Sequence, residues 1–551
     1  MEYLKAYNKW KLLDNKTAEE LEAIKDDAEI YDRFYRDISF GTGGMRGLMG
    51  AGSNRINSYT IARATRGFCE YLLAKHGGAA KLKGLIIAYD NRNLSAELAK
   101  TAADIATNCG FKAYCFSKLM PTPILSFGVG YLHCAGGIMI TASHNTKEYN
   151  GFKAYDEFGC QLIPQEAQKV YKYIEDIEDV AQISLQGDCS LLTILDKNIL
   201  EAYYGEVLTQ QRYLGSKKIK IVYTPLHGTG NEPVRQVLSR AGFKDVNVVQ
   251  SQELPNGNFP TVKSPNPEEI EALSLGIEYA KSINADIVMG TDPDCDRLGI
   301  AVKHHGEYVV LSGHQVGALV IDYLVTAGNL DKNPVIIKTI VTNELGAKIA
   351  EKHGVPVLNT LTGFKFIGEQ LVEFGKSGKY NFLFGYEESC GYLLGTHCAD
   401  KDGVVAAMII AEMAAVHNHA GFSLVDKLMS LYDDYGYYCD DLTSFIFEGS
   451  EGMKKITSIM RQIRTEVWAV VSKVDKVFDY ATGVDNLPQA EVIKVILEDG
   501  SWWAVRPSGT EPKIKFYYSI KGENKKVAEE KLIGLKKYLK HWLNIRPSEN
   551  S

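Results

Sequence analysis

Three aspartates, Asp292, Asp294 and Asp296, alternate along one short stretch of the sequence. On an extended segment, alternating side chains point to the same side, so their carboxylates would converge. Three like charges repel one another, and a divalent cation with oxygen ligands relieves that repulsion. Three protein ligands leave room for a phosphate oxygen, which favours magnesium in phosphoryl transfer. An EF-hand is excluded, because Arg297 and Lys303 stand where its glycine and its bidentate glutamate are required. The alternative is an aspartate-rich turn that caps the next segment.

A serine, Ser143, stands in a second polar stretch. The glycines of a hydrolase nucleophile motif are missing, since Thr141 and Asn145 occupy their positions. A serine that accepts and returns phosphate needs a cation to neutralise the ester and a base to move protons. His144 and Lys153 are the candidates for the proton transfer. Alone, such a serine is more often a loop hydrogen-bonding residue, but the aspartate stretch in the same chain favours a phosphate carrier.

Two further polar groups could bind a phosphorylated sugar. Glu387 and Ser389 follow a strand of Phe and Leu, and a carboxylate beside a hydroxyl suits neighbouring sugar hydroxyls. A helix N-cap at Ser389 is the alternative. The stretch Arg506–Thr510 offers a guanidinium, two hydroxyls and a glycine backbone, which together favour a phosphate site over a simple Pro-Ser-Gly turn.

The glycine-rich stretches do not predict a nucleotide site. In Gly41–Gly47, Arg46 stands at the sixth position of a dinucleotide fingerprint, where the third glycine is required. His227–Gly230 fails in the same way, because Pro233 stands at the third glycine's place. No Walker A sequence occurs in the chain. Neither NAD nor ATP is therefore supported, and Arg46 is better interpreted as a phosphate ligand.

The first three polar clusters each end a similar series of elements. In each series an apolar strand, a helical segment, a second strand, another helical segment and a third strand precede the cluster. The predicted first strands are Leu85–Tyr89, Ile219–Tyr223 and Val335–Lys338. The predicted second strands are Phe111–Phe116, Phe243–Val249 and Val355–Leu358. The predicted third strands are Gly137–Ile140, Asp286–Met289 and Asn381–Phe384. This order indicates three related α/β domains with largely parallel sheets, whose clusters share one cleft at the strands' carboxyl ends.

The C-terminal part follows another pattern. A hairpin is predicted from Glu491–Leu497 and Trp502–Val505, followed by a strand at Ile514–Tyr518 and a basic helix at Asn524–Trp542. We therefore expect a small α+β domain after three mixed α/β domains. The expected domains are residues 1–210 with the serine loop, 211–326 with the metal loop, 327–445 with the sugar loop and 446–551 with the phosphate loop.

Composition narrows the class of protein. The 551 residues exceed one ordinary hydrophobic core, and a net charge of -7 argues against nucleic-acid binding. Ten scattered cysteines without a C-x-x-C pair favour reduced thiols in the cytosol. The charged N-terminal segment does not fit a signal peptide, and the apolar run Val404–Val416 is too short to span a membrane and predicts a buried helix.

Five motifs in this order resemble the α-D-phosphohexomutase superfamily, and more closely its phosphoglucomutase and phosphomannomutase members. They cover nearly the whole chain and are Gly41-Thr-Gly-Gly-Met-Arg46, Thr141-Ala-Ser-His-Asn145, Thr291-Asp-Pro-Asp-Cys-Asp-Arg297, Gly385-Tyr-Glu-Glu-Ser389 and Arg506-Pro-Ser-Gly-Thr-Glu-Pro512. The resemblance implies four domains around a central cleft, a phosphoserine resting form, Mg²⁺ as cofactor and glucose 1,6-bisphosphate as activator. Its implied reaction moves phosphate from the serine to a hexose 1-phosphate and then returns the other phosphate to the serine.

The resemblance also implies a role for each matched residue. The metal ligands would be Ser143, Asp292, Asp294 and Asp296. The residues acting at the phosphoserine would be Arg46, Arg297, His144 as an assisting proton carrier and Lys153 as general base. The sugar-binding residues would be Glu387, Ser389 and the loop residues Thr362, Gly363 and Lys365. The residues holding the other phosphate would be Arg506, Ser508, Gly509 and Thr510.

Two motifs depart from the family pattern, and several functions stay open. Thr146 stands where the family usually has proline, and Gly44 and Met45 stand where alanine and leucine are more common. Glucose 1-phosphate is the favoured substrate, with mannose or pentose phosphates as alternatives. Because Ile287–Asp294 also resembles the strand and Asp-x-Asp motif of haloacid-dehalogenase-type phosphatases, a phosphatase is a rival interpretation. A non-catalytic regulator that binds sugar phosphates is another.

Overall fold

A computed structural model describes residues 2–41, 43–328, 330–447, 449–470, 473–508 and 513–545. The chain forms two compact units. The first unit comprises Met1–Gly313, Asn329–Val335 and Phe364–Ser423, and the second comprises His314–Gly328, Ile336–Gly363 and Leu424–Ser551. All three polar clusters at the predicted strand ends belong to the first unit.

Three helices precede the first strand. They are α1 Glu2–Trp10, α2 Asn15–Ala23 and α3 Asp27–Phe34. Their apolar faces meet in a small core around Trp10, Leu21 and Phe34. Glu20 accepts a hydrogen bond of 2.9 Å from the backbone N–H of Ala51, so the helices support the segment that follows the first strand.

The first sheet has six strands in the order β1-β5-β4-β2-β3-β6. The strands are β1 Gly44–Leu48, β2 Leu85–Tyr89, β3 Ala113–Phe116, β4 Gly136–Ile140, β5 Tyr149–Tyr155 and β6 Leu192–Leu195. The helices of this region are α4 Ser58–His76, α5 Ala79–Lys83, α6 Ser95–Asn108, α7 Thr122–Tyr131, α8 Pro164–Glu175 and α9 Asn198–Leu208. Strands β4, β2, β3 and β6 run parallel, and β4 is buried at every position, as expected for a strand covered by helices on both faces.

The second sheet has five strands in the order β11-β10-β9-β7-β8. The strands are β7 Lys220–Thr224, β8 Asp245–Val248, β9 Ile287–Thr291, β10 Leu298–His304 and β11 Glu307–Leu311. The helices are α10 Asn231–Arg240, α11 Gln250–Glu253 and α12 Ile270–Ile283. Strand β7 pairs in parallel with both β8 and β9, as the sequence predicts.

A third series of elements follows. The strands are β12 Pro334–Thr339, β13 Val357–Thr360, β14 Asn381–Glu387 and β15 Gly391–Leu394, and the helices are α13 Gly313–Thr326, α14 Leu345–Lys352, α15 Phe364–Ser377, α16 Gly403–His419 and α17 Leu424–Tyr435. In the first unit, β14 pairs with β15 antiparallel; in the second, β12 pairs with β13 in parallel. Helix α16 is buried almost throughout, which confirms the predicted buried helix.

The C-terminal sheet has the strand order β16-β20-β19-β18-β17 and is antiparallel. Its elements are β16 Tyr437–Ile446, α18 Gly449–Val470, β17 Val474–Asp479, β18 Ile493–Leu497, β19 Trp502–Pro507, β20 Lys513–Gly522 and α19 Lys525–Trp542. The predicted hairpin is the pair β18–β19. The expected domain boundary between residues 445 and 446 falls inside β16. This strand pairs along its whole length with β20 and so is part of the C-terminal sheet.

An antiparallel return strand after each polar cluster was not predicted. Strand β5 pairs with β4, β10 with β9 and β15 with β14, so each cluster occupies the connection of a hairpin at the edge where the parallel strand ends. All three predicted second strands start two residues too early. In the first, the N–H of Phe111 bonds the carbonyl of Ala106 in helix α6, and β3 begins at Ala113. Pro356 has no N–H to donate, so β13 begins at Val357, and the N–H of Phe243 bonds the end of helix α10 rather than the sheet.

No single helix in the described part of the chain is both long and apolar enough to cross a membrane. By length and composition alone, the consecutive helices α16 and α17 pass that test as a bent pair.

Candidate active site

The backbone of the serine loop is held from within the first sheet. Ser143 is almost fully buried, and its φ of 52° lies in the left-handed region, which is uncommon for a residue with a side chain. Its N–H donates to Thr141 Oγ1 at 2.8 Å, and that hydroxyl donates to Asp90 Oδ2 at 2.6 Å. A backbone in this region is strained by about 1–3 kcal/mol, so neighbouring contacts must hold it.

Arg92 supplies most of those contacts. Its guanidinium donates hydrogen bonds to four backbone carbonyls of the loop, those of Ser143, Asn145, Thr146 and Tyr149. The side chain is buried, and its Nε lies 3.3 Å from an oxygen of Asp90. One arginine therefore closes the whole loop around Ser143.

The aspartate loop is a turn and not the extended segment that the alternation predicts. The N–H of Cys295 donates to the carbonyl of Asp292 at 2.9 Å, and Cys295 has a φ of 54°. The turn nevertheless brings the three carboxylates together: Asp292, Asp294 and Asp296 are buried and offer oxygens that all lie within 4.8 Å of one another. The alternative of a plain capping turn does not explain three buried carboxylates in contact.

Some oxygens of these three carboxylates accept hydrogen bonds from the protein, and others do not. Asp292 Oδ1 accepts the N–H groups of Asp296 and Arg297 at 3.1 and 3.0 Å. Oδ1 of Asp294 and Oδ1 of Asp296 are buried and accept no hydrogen bond from any described residue. Buried oxygens that bear charge and lack a donor are the expected ligands of a hard cation, so the residues present fit a divalent metal ion.

The serine and the aspartate loop meet directly. Ser143 Oγ donates a hydrogen bond of 2.8 Å to Asp292 Oδ2, and His144 Nδ1 lies 3.3 Å from the same hydroxyl. Burial, together with the charges of the other two aspartates, raises the pKa of Asp292 well above its usual range. Partial burial and two nearby guanidinium groups lower the pKa of His144 well below its usual value, so this imidazole is neutral at neutral pH.

Two lysines contact the outer oxygens of the aspartate loop. Lys153 Nζ lies 2.7 Å from Asp294 Oδ2 and 3.1 Å from Asp296 Oδ2, and Lys401 Nζ lies 2.9 Å from Asp296 Oδ2. Burial alone would lower the pKa of Lys153, but these two aspartates raise it above its ordinary value. Lys153 reaches the loop because β5, the return strand, carries it back beside β4.

The two predicted arginines differ in their contacts. Arg46, on β1, donates from Nη1 to Asn145 Oδ1 at 2.8 Å and so contacts the serine loop. The guanidinium of Arg297 instead forms an ion pair with Glu268. Glu268 was not among the residues predicted from the sequence. Among the described residues the structure brings Arg46, but not the Arg297 side chain, into hydrogen-bond contact with the serine loop.

Glu387 and Ser389 lie where β14 turns into β15. No helix starts at Ser389, which stands in a turn, so the N-cap alternative is wrong. Glu387 is buried, and burial raises its pKa to about 7, although Lys401 and Arg297 lower it. The main chain joins this turn to the aspartate loop, because the N–H of Leu298 donates to the carbonyl of Cys390 at 3.0 Å.

The remaining predicted residues lie on connections. Thr362 and Gly363 stand between β13 and α15, with Gly363 at a φ of 115°, and Lys365 is buried in the first turn of α15. Arg506 is on β19, and Ser508 donates its N–H to the carbonyl of Lys513 at 2.7 Å. Gly509 and Thr510 lie outside the described residues.

Three residues that sequence reasoning missed complete the site: Asp90, Arg92 and Lys401. Asp90 and Arg92 directly follow β2, a buried strand that ends in polar residues. Lys401 stands beside two aspartates just before the apolar helix α16. These residues could have been found from the sequence, because charged residues at the end of a buried strand or at the start of a buried helix indicate a functional site.

Comparison with known sequences identifies the family. Patterns for four successive domains of phosphoglucomutase/phosphomannomutase match the chain, three described as alpha/beta/alpha domains I to III and one as the C-terminal domain. They cover residues 37–181, 201–306, 312–435 and 459–531. The chain belongs to the phosphoglucomutase/phosphomannomutase family.

Curated members of this family match along nearly the whole chain. A phosphoglucomutase of Staphylococcus haemolyticus is 37% identical over 509 residues, which span 89% of this chain and 92% of the relative. A phosphoglucomutase of Staphylococcus epidermidis is 35% identical over 544 residues, 95% and 98% of the two chains. With the family patterns, these relatives show that the chain is a phosphohexomutase, which is an isomerase.

Solved structures share the fold. A putative phosphomannomutase from Thermus thermophilus superposes with a TM-score of 0.68 at 22% identity, over 91% of this chain and 99% of the other. A phosphoglucomutase/phosphomannomutase family protein from Burkholderia thailandensis gives 0.69 at 19% identity, over 92% and 98%. Three α/β/α domains followed by a C-terminal domain, as the sequence predicts, are therefore the architecture of the family.

Proposed function

We propose that this enzyme is a phosphoglucomutase that interconverts glucose 1-phosphate and glucose 6-phosphate through phosphorylated Ser143 and a glucose 1,6-bisphosphate intermediate. The observation that carries the proposal is the hydrogen bond from Ser143 Oγ to Asp292, one of three converging buried carboxylates. The relatives named phosphoglucomutase, which match along most of the chain, support glucose as the sugar.

Two phosphoryl transfers account for the reaction. In the first, the bond between phosphorus and Ser143 Oγ breaks, and a bond forms to the free 6-hydroxyl of glucose 1-phosphate, whose proton passes to a base. In the second, the phosphate on carbon 1 of the bisphosphate returns to Ser143 Oγ, and the sugar oxygen recovers a proton. Since the enzyme is left phosphorylated, added glucose 1,6-bisphosphate would act as an activator by phosphorylating any free Ser143.

Asp292, Asp294, Asp296 and an oxygen on Ser143 would hold the metal ion. Mg²⁺ suits these hard oxygen ligands, and when bound it would neutralise charge on the transferred phosphate. Arg46 would add a positive charge beside the serine loop through its contact with Asn145. Arg297 would act mainly through its backbone N–H, which orients Asp292.

Proton transfer is assigned to His144 and Lys153. His144 is neutral at neutral pH and 3.3 Å from Ser143 Oγ, so it can accept a proton without first losing one. Lys153 is held in its charged form by Asp294 and Asp296. It would serve as the general base only when those carboxylates are engaged by another cation, and otherwise as the acid that returns the proton.

The remaining residues are assigned to the sugar phosphate. Glu387 and Ser389 would accept and donate hydrogen bonds to sugar hydroxyls, with Thr362, Gly363 and Lys365 contacting the sugar's other end. Arg506, Ser508, Gly509 and Thr510 would hold the phosphate that is not being transferred. A donor-rich loop suits this role, because the bisphosphate must bind in both orientations.

A coupled assay tests the proposal. Glucose, mannose and ribose 1-phosphates would be compared with Mg²⁺ and catalytic bisphosphate. We expect kcat/KM for glucose 1-phosphate to exceed that for the other two by roughly 10-fold or more, the range that one hydrogen-bonded hydroxyl can provide. A preference for mannose or ribose would make the enzyme a phosphomannomutase or phosphopentomutase. Release of inorganic phosphate would favour a phosphatase, and no conversion of any sugar would favour a non-catalytic regulator.

We also propose that the enzyme acts in the cytosol. All ten cysteines are free thiols, and six of them, all in the first unit, are buried: Cys69, Cys134, Cys160, Cys295, Cys390 and Cys398. A reducing compartment is where such thiols persist.

A further inference from the structure

The carbonyl of Pro293, in the middle of the aspartate loop, accepts two hydrogen bonds from one residue. Thr229 donates its backbone N–H at 2.8 Å and its Oγ1 hydroxyl at 2.9 Å. Thr229 is buried and contacts no carboxylate of the loop through either bond. It stands in His227–Gly230, the glycine stretch that a nucleotide site does not explain.

The glycines beside Thr229 allow the two loops to pack closely. A methyl group at Gly228 would lie 2.6 Å from Pro293 Cα and 2.7 Å from the Pro293 carbonyl oxygen, too close for any side chain. A methyl group at Gly230 would lie 2.9 Å from Cys295 Sγ. The stretch is therefore shaped to fit against the aspartate loop.

Thr122 donates two hydrogen bonds in a similar way to Asp294, the residue after Pro293. Its N–H donates to the carbonyl of Asp294 at 2.9 Å, and its Oγ1 donates to Asp294 Oδ2 at 2.8 Å. Thr122 is the first residue of α7, where a backbone N–H has no partner within the helix and is free to bond elsewhere. Two buried threonines thus hold two consecutive residues of the loop by both of their donors.

We propose that Thr122 and Thr229 are positioning residues that set the affinity of the aspartate loop for its metal ion, an inference that rests on the proposed function. Three like charges in a turn with a strained Cys295 would spread apart without restraint. Holding Pro293 and Asp294 fixes the direction of the carboxylates before the ion arrives. Thr229 acts through the backbone alone, and Thr122 also orients a ligand side chain.

Thr229→Val and Thr122→Val remove the hydroxyls with little change of shape, and Thr→Ser at each position restores them. Mn²⁺ binding by calorimetry on the full chain is the primary measurement. We expect Kd for Mn²⁺ to rise roughly 10-fold in each valine variant, as for residues that orient metal ligands, and to return to within about 2-fold in the serine variants. The Mg²⁺ concentration for half-maximal activity should rise in parallel, while kcat at saturating Mg²⁺ changes by less than about 3-fold. Thr65→Val, a buried threonine that bonds only its own helix, is the matched control.

The outcomes separate this inference from the proposed function. A wild-type chain that binds no Mn²⁺ would overturn the metal site itself. Wild-type binding with unchanged Kd in both valine variants would overturn the positioning role, as would valine variants that lose kcat without losing Mn²⁺ affinity. Because Thr122 holds Asp294 independently of Thr229, Kd for Mn²⁺ in Thr122→Val decides the inference if Thr229→Val proves unstable.

Discussion

Ser143 Oγ donates a hydrogen bond of 2.8 Å to Asp292 Oδ2, joining residues 149 positions apart in the chain. The first residue follows β4 and the second follows β9, so the contact links the carboxyl ends of strands from two different sheets. It places the proposed phosphate carrier directly on the proposed metal ligands, where charge on a phosphorylated serine would be neutralised.

Ser143→Ala should abolish mutase activity, with a loss of about 10³-fold or more, because the proposed mechanism carries the phosphate on this hydroxyl between the two half-reactions. Incubation with radiolabelled glucose 1,6-bisphosphate should label the wild-type chain and leave the variant unlabelled. His144→Ala is the companion variant and should keep the label while losing turnover. Retained activity in Ser143→Ala with Asp292 essential would instead indicate the phosphatase mechanism.

Arg92→Lys should lower kcat by about 10²-fold with little change in KM. A lysine keeps the charge but cannot reach the carbonyls of Ser143, Asn145, Thr146 and Tyr149 together, so the serine would shift from its position. Losing the donor to the buried carbonyl of Ser143 should also destabilise the fold by about 1–3 kcal/mol, which thermal unfolding would detect. Arg240→Lys changes an exposed ion pair with Glu201 and should match the wild type in both measurements.

The strand ends were predictable because the signal is local. A run of apolar residues that stops at a polar cluster indicates a buried strand that ends there, and strands β4, β9 and β14 do end at the clusters of Ser143, Asp292 and Glu387. The turn at Cys295 was not predictable, since alternating aspartates look the same in an extended segment and in a turn whose bonds are made by the backbone.

The supporting residues of the site were missed for a different reason. Arg92 acts on carbonyls 51 to 57 positions away, and Thr229 on a carbonyl 64 positions away, and a carbonyl leaves no mark in the sequence. The return strands β5, β10 and β15 were missed because they follow the polar clusters closely and are too short or too uniformly buried to show a clear alternation.

Gly391→Ala should leave the fold intact and impair sugar binding. A methyl group there would lie 2.6 Å from Lys401 Cδ and 2.7 Å from Glu387 Oε1, flexible side chains that can move aside. Because Glu387 is a proposed sugar ligand and would be displaced, we expect KM for glucose 1-phosphate to rise by roughly 10-fold, with an unfolding midpoint close to that of the wild type. Gly375→Ala, on α15 with nothing within 4 Å of the added methyl, is the matched control and should leave KM unchanged. An unaltered KM in Gly391→Ala would argue against Glu387 as a sugar ligand.

Lys494 makes stability depend on pH in the second unit. It donates to the carbonyl of Ile340 at 2.8 Å and lies above the ring of Trp502. Burial, with the neighbouring charge of Lys338, lowers its pKa from 10.5 to about 8, although Glu344 opposes this shift.

The lowered pKa means that the folded chain releases this proton before the unfolded chain does. Below pH 8 both states carry the charge, and the folded state bears the full penalty of burying it; between pH 8 and 10.5 only the unfolded state is protonated, so stability rises with pH. The gain should be about 3 kcal/mol, from 1.36 kcal/mol per pKa unit. Lys494→Met should remove this rise, which urea unfolding midpoints at pH 7, 9 and 10.5 would measure. If both chains respond to pH identically, Lys494 keeps its ordinary pKa in the folded state.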